Sequence, residues 1–126
     1  MCVIYDINFS QARQFTDTNI FIDILFAIIL SPVIETFIFQ TIVLSLMREI
    51  RWLKSKEFLM IILSSMVFGG IHIIYNGYYG ISALVIGIIL AYSFILYEKK
   101  GINAFIVVTL IHSLLNMTGI FLSLFN

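Results

Sequence analysis

Residues 58–75 read FLMIILSSMVFGGIHIIY. No charged side chain interrupts this run, and its length falls within the roughly 17–25 residues that carry an α-helix across the hydrocarbon of a bilayer. It lacks the alternation of a barrel strand and is too long to be one. Close to its far end stands His72, an ionisable group where hydrocarbon tolerates such groups only at a cost of several kcal/mol. That combination predicts a transmembrane helix built around a functional polar residue.

Three further runs of the same kind flank it: Ile20–Met47, Ile81–Tyr97 and Ile102–Phe125. The first is long and contains Pro32, which removes a backbone donor, crowds the preceding turn and is expected to kink the helix. The whole chain agrees, with 61% of its 126 residues hydrophobic and only 11% charged. Soluble domains run nearer half apolar and a quarter charged. The predicted fold is therefore all-α, a polytopic membrane bundle of about four transmembrane helices over residues 20–126, preceded by an interfacial polar segment at residues 1–19. That segment has neither the basic start nor the cleavage site of a signal peptide.

Charge supplies an orientation. Six of the seven basic residues (Arg48, Arg51, Lys54, Lys56, Lys99 and Lys100) fall in the two connections Arg48–Glu57 and Glu98–Gly101. Four spans place both connections on one side, and the positive-inside rule makes it cytoplasmic. Tyr75, Tyr78 and Tyr79 are then expected to form an aromatic belt at the opposite interface. A net charge of zero gives a nucleic-acid partner no electrostatic support. The lone Cys2 excludes an internal disulfide and a paired-cysteine metal site. On the third span Ala83, Gly87 and Ala91 make a small-residue face that lets another helix approach closely.

The polar residues converge in depth. At 1.5 Å per residue, Glu35 lies roughly 18 Å from the cytoplasmic end of its span, His72 roughly 21 Å and His112 roughly 15 Å. Asn116 follows His112 by one helical turn and shares its face. One carboxylate and two imidazoles at a common level suit general acid/base chemistry. Singly, each has a plainer reading: a histidine as an interhelical donor, Asn116 as packing glue. Around them run stripes of polar or small residues: Ser31 one turn before Glu35; Ser65 and Phe68 before His72; Thr109, Gly119 and Ser123 on the face of His112. Glu35, His72 and His112 are also a ligand set that zinc would accept, an open carboxylate and two imidazoles.

These residues resemble a known family, the intramembrane proteases of the CAAX-protease and bacteriocin-processing (CPBP, or Abi) group. That family carries E-E-x-x-x-R, then F-x-x-x-H, then H-x-x-x-N or H-x-x-x-D. Here the motifs read Glu35-Thr36-Phe37-Ile38-Phe39-Gln40, Phe68-Gly69-Gly70-Ile71-His72 and His112-Ser113-Leu114-Leu115-Asn116. The resemblance implies a glutamate-dependent, metal-independent endopeptidase in which Glu35 and His72 activate water while His112 and Asn116 stabilise the oxyanion. It implies Thr36, Gln40 and Phe68 as supporting residues, no cofactor, and a peptide or prenylated, lipophilic peptide as substrate. A bacterial cytoplasmic membrane is the expected location; the oligomeric state is left open. Two positions depart from the pattern: Thr36 replaces the second glutamate and Gln40 the arginine. Four residues apart, they are expected to hydrogen-bond each other, a neutral pair in place of an ionic one. The same departures support an alternative, a membrane scaffold or bacteriocin self-immunity protein whose site has drifted. The chain is short for the family, as a minimal or truncated form would be.

Overall fold

The computed structural model describes residues 20–74 and 77–123. Among them every regular element is helical: α1 (Ile20–Glu49), α2 (Glu57–Ile73), α3 (Gly77–Lys99) and α4 (Ala104–Ser123). The interfacial segment expected at residues 1–19, Tyr75 of the expected aromatic belt and the Ser123 side chain lie outside the described part.

Three of the helices are long and apolar enough to cross a membrane: α1, α3 and the stretch Ala104–Leu122 of α4. The remaining one, α2, has 17 residues and extends about 25 Å, at the short end of what spans a hydrocarbon core. The surface is inverted relative to a soluble protein. Large apolar side chains such as Phe21, Ile29, Leu46, Phe58, Ile81 and Leu114 point outward, whereas Ser31, Thr36, Gln40, Ser64, Ser65, His72, His112 and Asn116 are buried. With lipid outside, hydrophobicity does not drive helices together, so close packing and interhelical polar contacts must. The chain is an integral membrane protein.

Close packing is most developed between α2 and α3. A Cβ on Gly69 would lie 2.8 Å from the Leu84 Cβ, and one on Gly87 would lie 3.0 Å from the Ser65 Cα. Ala83 and Ala91 are buried beside them, so the small-residue face predicted on the third span is the contact face. At the end where α1 and α3 finish, a core of Leu44, Leu53, Met60, Leu90, Phe94, Ile95, Ala104 and Val108 ties all four helices. Leu53 comes from the α1–α2 connection and plugs that core. The same end carries the basic connections. There Arg48 pairs with Glu98 through both guanidinium nitrogens and Lys99 Nζ reaches Glu57 Oε2 at 2.6 Å. Gly101, with φ +70°, closes α3 in the left-handed conformation glycine favours, and Asn103 Oδ1 caps α4 by accepting the Ile106 N–H at 3.2 Å.

The disturbance expected at Pro32 takes a particular form. α1 is α-helical over Ile20–Leu25, Ser31–Glu35 and Val43–Glu49, and π-helical over Phe26–Leu30 and Thr36–Ile42. Proline offers no N–H to the preceding turn and crowds its carbonyl; the wider π geometry relieves both problems without ending the helix. Glu35 closes the short α segment between the two π stretches.

Candidate active site

All four helices contribute to the centre: Ser31, Glu35 and Thr36 come from α1, Phe68 and His72 from α2, Tyr79 from α3, His112 and Asn116 from α4. The Glu35 carboxylate is the meeting point. Its Oε2 lies 3.4 Å from His112 Nε2 and 4.0 Å from His72 Nε2. Its Oε1 accepts a short hydrogen bond from Ser31 Oγ, one turn earlier. The Glu35 side chain keeps 17% of its surface exposed while both imidazoles are nearly closed off, at 3% and 2%. The carboxylate is thus the one member of the trio with an opening beside it.

The far nitrogen of each ring is fixed. His72 Nδ1 contacts the Phe68 carbonyl oxygen at 2.6 Å. A carbonyl only accepts, so Nδ1 carries a hydrogen, and Nε2 is the nitrogen turned toward Glu35. His112 Nδ1 lies 3.5 Å from Thr36 Oγ1, and a threonine hydroxyl can serve either tautomer. Phe68 sits between the two rings, 4.5 Å from His72 and 5.8 Å from His112 by ring centroids, and is itself packed on Phe39 at 5.2 Å.

Asn116 also ties α4 to α1. Its Nδ2 donates to the Ala27 carbonyl at 2.9 Å. That carbonyl is free because the Ser31 N–H, its α-helical partner, turns to the Phe26 carbonyl instead, and residue 32 has no N–H to offer. Asn116 therefore bridges α4 to the opened turn of α1. Nδ2 retains a second hydrogen, and Oδ1 is buried without a hydrogen-bond partner.

Two expectations are corrected. Thr36 and Gln40 do not bond each other: Thr36 pairs with His112, Gln40 Oε1 lies 3.4 Å from Ser64 Oγ, and Gln40 Nε2 is unpartnered. The helix between them is π rather than α, which removes the one-turn stacking on which that pairing depended. Tyr79 does not belong to an interfacial belt. It is buried and packs edge to face against His72, with ring centroids 5.1 Å apart, whereas Tyr78 is exposed. Of the flanking stripes, Thr109 Oγ1 is buried and unpartnered, and Ser65 bonds back to the Ile62 carbonyl at 2.8 Å within its own helix. Among the described residues no group of three or more His, Cys, Asp and Glu side chains is placed to hold a metal ion.

A carboxylate flanked by two imidazoles inside a membrane helix bundle defines a class, that of integral membrane proteins equipped for acid/base chemistry. A family model described as Rce1-like, type II CAAX prenyl endopeptidase, matches residues 17–118, and the chain belongs to that family, a family of CAAX-type intramembrane proteases. No curated protein and no solved structure matches the chain.

Proposed function

We propose that this chain is an intramembrane endopeptidase that hydrolyses a peptide bond with a water activated by Glu35 and His72. The observation that carries this reading is the position of Glu35 Oε2 between two imidazole nitrogens, at 3.4 and 4.0 Å. The longer separation exceeds a direct hydrogen bond, and a water at about 2.8 Å from each atom fits across it. Glu35 takes the proton as the water attacks the scissile carbonyl, and returns it to the leaving amine. Thr36, by donating to His112 Nδ1, would hold the ring as the tautomer with hydrogen on Nε2, facing the developing oxyanion. The second amide hydrogen of Asn116 adds to it; such donors are worth roughly 2.7–4 kcal/mol each in other enzymes. The chemistry requires no metal ion, so thorough chelation is expected to leave cleavage intact. Substrates are peptides with a lipophilic or prenylated end that reach the site from the bilayer, and the setting is a bacterial cytoplasmic membrane.

A second reading has its own observation. Gln40, where the family pattern has arginine, leaves a buried amide nitrogen without a partner, as in a site that has drifted toward a scaffold or self-immunity role. Mass spectrometry of new peptide termini from membranes holding the parent or Glu35→Gln separates the two. Termini that vanish in the variant support the protease; identical termini at equal protein abundance support the scaffold.

A further inference from the structure

The carbonyl of Phe39, like that of Ala27, is passed over by its α-helical donor. The Val43 N–H bonds the carbonyls of Ile38 and Gln40 and passes over Phe39, its α-helical partner. Ser64 Oγ donates to the Phe39 carbonyl at 2.9 Å. Two openings in α1 thus bracket Glu35, and each is held by a fully buried side chain from another helix, Asn116 of α4 and Ser64 of α2. In hydrocarbon no water can replace such a donor.

A π turn shifts the phase of a helix by one residue, about 100° at 3.6 residues per turn. Beyond the second opening α1 is anchored, since Leu44 lies in the core with Leu53 and Met60. Closing that opening to α geometry would therefore turn the preceding segment, which carries Glu35. We propose that Ser64 is a positioning residue: by capturing the Phe39 carbonyl it keeps the second turn of α1 open and fixes the direction in which Glu35 faces His72 and His112. The Phe39 ring, packed on Phe68 beside both histidines, carries the same setting into the site. The consequence for catalysis rests on the protease reading; the consequence for helix phase does not.

The test uses the full chain in membranes, with Cys2→Ser as background. Phe37 of α1 and Phe105 of α4 meet edge to face at 6.2 Å. Oxidative cross-linking of the pair Phe37→Cys/Phe105→Cys is compared with that of Ile38→Cys/Phe105→Cys, one residue out of phase. In the parent the first pair cross-links preferentially. Ser64→Ala is expected to move the preference toward the second pair and to lower kcat for peptide cleavage severalfold with little change in KM. Ser64→Thr, which keeps the hydroxyl, should retain the parent pattern, and its isostere Ser64→Val should behave as Ser64→Ala, so that packing is separated from hydrogen bonding. Unchanged cross-linking in Ser64→Ala and Ser64→Val would overturn the proposal whatever their activity. A parent without hydrolysis would overturn the protease reading, and the cross-linking comparison would still decide the role of Ser64.

Discussion

Ser31 illustrates how a residue can be legible in sequence while its role is not. Its spacing of four from Glu35 put the two on one helical face, and the hydroxyl does donate to the carboxylate. That bond leaves Oε2 directed at the imidazoles. Ser31→Ala should therefore keep the protein folded and lower kcat by roughly threefold to tenfold, the range for a single hydrogen bond within membrane protein; steady-state cleavage in proteoliposomes measures it. Glu35, His72 and His112 were legible because ionisable groups stand out in apolar runs and their depths can be counted. Ser64 and Tyr79 were not. A serine inside a helix ordinarily bonds back within its own turn, as Ser65 does here. A tyrosine near a helix end ordinarily sits at the interface, and only packing against His72 marks Tyr79 otherwise.

At the scale of the element, hydropathy located all four helices, because length and the absence of charge suffice for that. It did not foresee the π turns of α1. Those depend on carbonyls finding donors on α2 and α4, a tertiary fact with no local signature beyond Pro32. Glycines separate in the same way. Gly69 and Gly70 are adjacent in sequence, yet a Cβ on Gly69 would meet Leu84 at 2.8 Å while one on Gly70 meets nothing within 4 Å. Gly69→Ala must push α3 away from α2, for which overpacking suggests a loss of about 1–3 kcal/mol. Gly70→Ala should be neutral or slightly stabilising through helix propensity. Thermal unfolding in detergent of the two variants side by side measures the contrast.

For the whole molecule, the arrangement predicts an orientation. Arg48 with Glu98, and Lys99 with Glu57, bring the two basic connections together at one end of the bundle, as charge counting had required. With Cys2→Ser as background, a cysteine at Lys54 or Lys100 should react with an impermeant maleimide only from the cytoplasmic side, and one at Tyr78 only from the other. The reverse pattern would contradict the orientation without disturbing the site, which lies between the two surfaces.

The central claim is that Glu35, set between His72 and His112, makes this bundle hydrolytic. The most direct measurement is the cleavage rate of a lipophilic peptide in proteoliposomes by the parent and by Glu35→Gln, a change that keeps the shape and removes the base. The account predicts a fall of about a hundredfold or more, the contribution typical of a general base, with thermal stability close to that of the parent. Equal rates for the two proteins would contradict it.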